Sequence, residues 1–192
     1  MTIYIHGFGG SGEGVKAKLF REYFKSINKP FIAPSLSYVP ELAISTLEEL
    51  IESYDDVTLI GSSLGGYYSI YLSQKYNIRA ALLNPSIHPA ITLENSLGFP
   101  PNFYDESSFK WTETHLKMLQ KFKTKMFREE LIMLLVQKGD DLLDYKEAID
   151  YLPNSHMIVE DGGSHSFDGV EKQFKNIVEF LHNKEDAIKI VK

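Results

Sequence analysis

Cysteine is absent from the 192 residues, which excludes disulfides, thiolate zinc sites and a thiol nucleophile together and fits a reducing compartment. Positive charge is scarce as well: 20 Lys and Arg stand against 26 Asp and Glu, a formal net charge of −6. That balance works against the attraction that non-specific nucleic-acid binding uses, so no nucleic-acid partner is expected. Long hydrophobic runs are missing too, none approaching the ~20 residues that cross a bilayer. Met1 leads straight into Thr2-Ile3-Tyr4-Ile5, with no basic stretch ahead of an apolar one. Together these absences predict a soluble, cytoplasmic protein without a membrane partner.

What the chain does have is core-forming material: 43% hydrophobic and 12% aromatic residues. The length matches the ~100 to 200 residues of one domain, so residues 1–192 are expected to form a single unit. Short apolar runs rich in β-branched residues recur at 3–5, 31–33, 57–60, 80–83, 131–136 and 157–159. They are nearly continuous rather than alternating, the pattern of strands covered on both faces. Between them, Leu47, Leu50, Ile51 and Tyr54 stand at i, i+3, i+4, i+7, as do Leu64, Tyr67, Tyr68 and Tyr71, and Phe174, Ile177, Val178 and Leu181. Each set is one apolar helix face. The alternation predicts an α/β fold with a mostly parallel sheet flanked by helices on both faces.

The rhythm breaks at 85–128, a connection that opens with Asn84-Pro85 and carries Gly98-Phe99-Pro100-Pro101. A connection this long usually has helices or a task of its own. Trp111, Met118, Leu119, Phe122 and Met126 have roughly helical spacing, preceded by a concentration of aromatics at Phe103, Tyr104, Phe109 and Trp111. The segment reads as a cap over the sheet edge. Residues 183–192 read as a frayed, mixed-charge tail.

The strongest chemical signal is Gly61-Ser62-Ser63-Leu64-Gly65-Gly66, placed directly between a predicted strand and a predicted helix. This is G-x-S-x-G in the context it requires: a sharp turn that exposes the Ser63 hydroxyl, with flanking glycines where side chains would collide. The following helix adds N–H groups and the positive end of its dipole. A serine hydroxyl needs a base. Among six His, His165 lies in Glu160-Asp161-Gly162-Gly163-Ser164-His165-Ser166-Phe167, after the last strand and before the last helix. His156 reads as the start of that strand, His182 as a complement to a helix C-terminus, and His88 and His115 as cap residues.

Chain order Ser, acid, His places the orienting acid in Gln137-Lys138-Gly139-Asp140-Asp141-Leu142-Leu143-Asp144. Asp144, three residues before Glu147, reads as a helix N-cap. Asp140 is preferred over Asp141 because it follows the glycine turn, with Leu142 and Leu143 anchoring the loop behind it. Oxyanion donors are expected from the backbone N–H of Leu64 and from His6-Gly7-Phe8-Gly9-Gly10, with Phe8 first and Gly9 next. His6 itself reads as structural.

Gly7-Phe8-Gly9-Gly10-Ser11-Gly12 also satisfies the dinucleotide pattern G-x-G-x-x-G, yet residues 31–38 contain no acid to bind a ribose. No Gly-Lys-Ser/Thr follows the glycines, and there is neither H-E-x-x-H nor a His pair at i, i+4. No cofactor and no metal are expected.

These motifs resemble the α/β-hydrolase superfamily and, within it, the small bacterial YqiA-like esterases. The resemblance covers nearly the whole chain and rests on the elbow from Ile60 to Tyr68, Asn84-Pro85, the run from Gly139 to Tyr145 and the run from Glu160 to Phe167. It differs at His6, where some members carry Gln, and at Asp141, where Glu is familiar; the second difference keeps the acid assignment open. The resemblance implies Ser63 as nucleophile, His165 as base, Asp140 as acid and esterase activity on short acyl esters. The expected partner is a small-molecule acyl ester, with Phe103, Tyr104, Phe109 and Trp111 lining its pocket. A thioesterase on the same residues, and a catalytically silent binding protein, are the alternatives.

Overall fold

The computed structural model describes residues 1–125 and 128–182; Met126 and the tail at 183–192 lie outside the described residues. The apolar runs form six strands: β1 (Thr2–Ile5), β2 (Phe31–Ile32), β3 (Thr58–Ser62), β4 (Ala80–Leu83), β5 (Ile132–Gln137) and β6 (His156–Glu160). All pair in parallel in the order β2-β1-β3-β4-β5-β6. The seven α-helices among the described residues are α1 (Val15–Ser26), α2 (Pro40–Ser53), α3 (Leu64–Tyr76), α4 (Pro89–Thr92), α5 (Glu113–Gln120), α6 (Tyr145–Tyr151) and α7 (Phe174–His182).

Successive strand residues point to opposite faces, so one sheet feeds two cores. Ile3, Ile5, Leu59, Leu82, Ile132 and Leu134 pack with Ala43, Leu47 and Ile51 of α2, Leu64, Tyr68 and Leu72 of α3 and Ala148 of α6. Tyr4, Ile60, Leu83, Met133 and Leu135 pack instead with Phe20 and Phe24 of α1 and Phe174, Ile177 and Leu181 of α7. Both faces are therefore covered, the condition that makes buried parallel strands stable. Among the described residues no helix is long and apolar enough to cross a membrane.

Most elements fall within a residue of the sequence expectation, and β3 and α5 differ by more. β3 runs two residues past Ile60, because Gly61 and Ser62 continue the ladder opposite Leu82 and Leu83; neither is hydrophobic, so the run ends early in sequence. Helix α5 stops at Gln120 and leaves Phe122 beyond its end. It starts after Trp111, where Thr112 and His115 form a reciprocal cap. Between Gly98 and Trp111 the chain doubles back through two antiparallel bridges, Gly98 with Trp111 and Pro101 with Ser108. α5 lies along the α2/α3 layer, tied by the Tyr67 hydroxyl, which donates to Leu119 O at 2.7 Å, and by Lys121 to Glu41 at 2.5 Å.

The register pairs Ile5 with Gly61, Ser62 with Leu83, Leu83 with Leu135 and Gln137 with Glu160. The C-terminal ends of five strands thus stand side by side, and the loops that leave them share one edge of the sheet. That edge is where open parallel sheets hold their ligands.

Candidate active site

Ser63 sits between the last residue of β3 and the first of α3 with φ 54° and ψ −119°, a left-handed conformation that costs a non-glycine residue of order 1–3 kcal/mol. Packing holds it there. The Ser63 N–H donates to Leu83 O at 3.1 Å, and Ser63 O accepts from Gly66 N and Ser86 N. A Cβ on Gly65 would stand 2.0 Å from Ile5 O, and one on Gly61 would stand 2.4 Å from Gly65 O. The helix can approach the sheet this closely only because both positions lack side chains.

His165 is brought to Ser63 from a loop 102 residues away in sequence, its Nε2 lying 3.0 Å from Ser63 Oγ. Its Nδ1 is 2.8 Å from Asp140 Oδ2. A carboxylate only accepts, so Nδ1 carries the proton and Nε2 is left to accept from the serine hydroxyl. The other Asp140 oxygen accepts from the N–H groups of Leu142 and Leu143, both at 2.9 Å. Burial raises the Asp140 pKa, but the bonds from His165, Leu143 and Leu142 outweigh it and hold the carboxyl below its ordinary value. Asp140, and not the exposed Asp141, meets His165. Asp144 caps α6, accepting from Lys146 N at 3.0 Å.

The loop after β1 closes over the other side of Ser63: a Cβ on Gly7 would lie 3.6 Å from Ser63 Oγ. His6 braces this loop. Its Nε2 accepts from Leu36 N at 3.0 Å and its Nδ1 donates to Gly7 O at 2.8 Å, while burial lowers its pKa and keeps it neutral. Among the described residues the N–H groups of Phe8 and Leu64 have no acceptor, which leaves both free for a ligand oxygen.

Sequence reasoning missed the side chain that joins the acid and base loops. Gln137, at the end of β5, is buried and uses all four hydrogen-bonding sites of its amide. Oε1 accepts from Ser164 N and Asp168 N at 3.1 and 2.8 Å, and Nε2 donates to Glu160 Oε2 and Asp168 O at 2.7 and 2.8 Å. Its backbone O accepts from Asp140 N at 3.1 Å. Asn84 adds a second tie, donating to Ser164 O at 2.9 Å while its Oδ1 accepts from Gln137 N at 2.9 Å. Lys16 donates to Ser166 O at 2.7 Å; burial lowers its pKa, against the pull of Asp168 and Asp140. Asn84 stood out in the sequence as punctuation and as part of the family resemblance, with no role attached. Nothing in the spacing marked Gln137 or Lys16.

Beside Ser63 lies a cavity of about 390 Å³, bordered by Gly7, Phe8, Leu64, Tyr38, Tyr68 and Phe109. Of the four aromatics expected to line it, Phe109 does so, its ring 4.8 Å from Tyr38 and 5.4 Å from Phe8. Trp111 is instead fully buried behind Phe8, 4.8 Å away and stacked on His115. Phe103 and Tyr104 are 73% and 62% exposed. The turn closed by the Pro101–Ser108 bridge carries them outward, pinned by the bond from Phe103 N to Gly9 O at 2.8 Å.

The remaining histidines are accounted for by packing. His88 precedes α4, His115 caps α5 by accepting from Thr112 N at 3.0 Å, and His156 opens β6 beside Phe180. His182 does not supply the expected positive charge at a helix end, because burial, Lys29 and the N-terminal ammonium push its pKa down to about 4. Among the described residues no group of three or more His, Asp or Glu could hold a metal ion.

The family described as uncharacterised protein family UPF0227 matches residues 1–182. The chain belongs to the UPF0227 family. A UPF0227 protein of Vibrio cholerae is 25% identical over 173 residues, covering 87% of this chain and 91% of its own. One of Klebsiella pneumoniae is 23% identical over 186 residues, 94% of this chain and 98% of its own. Two solved structures extend the comparison beyond UPF0227. Est1E of Butyrivibrio proteoclasticus, with ferulic acid bound, superposes with a TM-score of 0.70 at 16% identity over all of this chain and 89% of that one. The monoacylglycerol lipase of Paleococcus ferrophilus gives 0.67 at 16% identity over 94% and 93%. At these identities the likeness establishes the α/β-hydrolase fold.

Proposed function

We propose that this protein is a serine hydrolase, a carboxylesterase acting on short-to-medium acyl esters, built as a single α/β-hydrolase domain with the 85–128 segment as its cap. The observation that carries this reading is the unbroken hydrogen-bond relay from Ser63 Oγ through both ring nitrogens of His165 to Asp140. Each member has the partner its role requires. The names of the neighbours, an esterase and a monoacylglycerol lipase, point the same way.

In the mechanism, Ser63 Oγ attacks the ester carbonyl carbon as its proton passes to His165 Nε2. Asp140 holds the imidazolium, and the Phe8 and Leu64 N–H groups meet the developing oxyanion. The oxyanion then re-forms the carbonyl as the bond from its carbon to the alkoxy oxygen breaks, His165 gives the proton to the departing alcohol, and Ser63 is left acylated. Water, deprotonated by the same His165, attacks the acyl-enzyme and frees the acid and Ser63. The sequence calls for no cofactor. A thioester would follow the same path, so a matched ester and thioester panel separates those two substrate classes.

The test is intact-mass analysis after treatment with a fluorophosphonate probe. Wild type is expected to take one adduct, Ser63→Ala none, and His165→Ala one only slowly. No adduct on folded wild type would overturn the proposal in favour of a hydrolase-like binding protein.

A further inference from the structure

The cavity beside Ser63 has an unusual chemical lining. Among the described residues no Asp, Glu, Lys or Arg borders it, and the His6 imidazole is held neutral by burial and by the N–H that its Nε2 accepts. Its polar groups are uncharged, among them Asn102, Ser107 and Ser108, set against the aromatic walls of Phe8, Tyr38 and Phe109. A charged group moved into such a space would lose its hydration without gaining a counter-ion.

One polar group there stands apart. Tyr68 lies one turn after Leu64 on α3, a spacing that places the two on the same helix face, and it lines the cavity while only 4% of its surface is exposed. Buried tyrosine hydroxyls ordinarily find a partner. Tyr67, the other buried tyrosine of this helix, follows that rule by donating to Leu119 O, and the less buried Tyr71 and Tyr76 donate to Glu48 and Glu52. The Tyr68 hydroxyl has no hydrogen-bond partner among the described residues. Burial pushes its pKa up and keeps it protonated, so it is a donor without a protein acceptor, carried by a residue that lines the space an acyl group would fill. About 390 Å³ is near the small end of ligand cavities.

We infer that this cavity selects an uncharged acyl group of small to medium size bearing an ether or hydroxyl oxygen, and that Tyr68 Oη is the specificity-determining group that binds that oxygen. The inference rests on the acyl-transfer reading above and assigns its substrate class.

The test compares kcat/KM for p-nitrophenyl esters in pairs that differ only by oxygen for methylene: 3-methoxypropionate against pentanoate, and 5-methoxypentanoate against heptanoate. They are measured on wild type and on Tyr68→Phe, which removes one oxygen atom and keeps the ring. In at least one pair the preference for the ether is expected to fall roughly tenfold in Tyr68→Phe. The same ratios in both proteins for every pair would overturn the assignment to Tyr68. A second measurement needs no variant: the p-nitrophenyl monoester of adipic acid, which carries a free carboxylate, is expected to react at least about 100-fold more slowly than the heptanoate. Equal rates would overturn the neutral-cavity selection. Fluorophosphonate labelling of wild type is read alongside. Absence of an adduct would end the acyl-transfer reading and this inference together, whereas labelling with unchanged ester ratios would end only the inference.

Discussion

The loops that leave β3, β5 and β6 and the described part of the 85–128 segment both border Ser63, but they are held differently. In the first region Ser63, Asp140 and His165 hang on paired strand ends, and the buried amides of Gln137 and Asn84 saturate the backbone of the His165 loop. In the second, the chain from Gly98 to Trp111 has two isolated bridges, is pinned to the Gly9 carbonyl through Phe103 N, and leaves Phe99 and Phe103 more than 70% exposed. The first region holds the alignment that the proposed chemistry would need. The second region supplies one wall of the cavity through Asn102, Ser107, Ser108 and Phe109, and its exposed side chains can change at small cost to the fold.

The largest expected break in this contrast comes from Asp140→Asn, which should lower kcat by about 10³- to 10⁴-fold by favouring the wrong imidazole tautomer. Asp141→Asn, one residue away and exposed, should stay within about twofold. Steady-state kinetics on the pair checks this. Stability adds a signed test. Because the folded Asp140 carboxyl lies below its ordinary value, its contribution is complete above the unfolded pKa of about 3.9 and is lost as pH falls through the folded value. Urea melts from pH 6 to pH 2 should show a steeper acid loss for wild type than for Asp140→Asn.

Gln137→Met should come next. It keeps the volume but leaves the N–H groups of Ser164 and Asp168 without their acceptor, at about 1–3 kcal/mol for each group. Denaturant melts should show the stability loss, with kcat lowered about tenfold and KM nearly unchanged. Gly163→Ala should rank third, since its Cβ would stand 2.0 Å from Gln137 Oε1 at a φ of +78°. Gly162→Ala, with φ +70° and nothing within 4 Å, isolates the backbone strain at about 1 kcal/mol. Thermal melts separate the two. Smallest is Phe99→Ser in the second region, expected within about 0.5 kcal/mol of wild type; a loss comparable to Gln137→Met would erase the contrast.

The sheet was legible because buried parallel strands are written as short apolar runs, and the elbow because Gly61, Ser63 and Gly65 meet a steric requirement at fixed spacing. His165 was picked out by its glycine-rich loop, whereas the glycine turn and the leucines gave only a preference for Asp140 over Asp141. Phe103, Tyr104 and Trp111 were misplaced because aromatic composition does not say which way a turn carries a side chain. Gln137 gave no signal, since one amide looks alike in a sequence whether it faces water or satisfies four buried partners.

By itself, then, the sequence determined the elements, the layered class and the residue types able to move a proton, because these depend on local sterics and on the periodicity of burial. Only the tertiary structure decided that Asp140 rather than Asp141 meets His165, that Gln137 joins their loops and that Tyr68 lines a cavity with its hydroxyl unpartnered among the described residues. Those are distances between atoms far apart along the chain, set by strand register and by how two cores pack against one sheet.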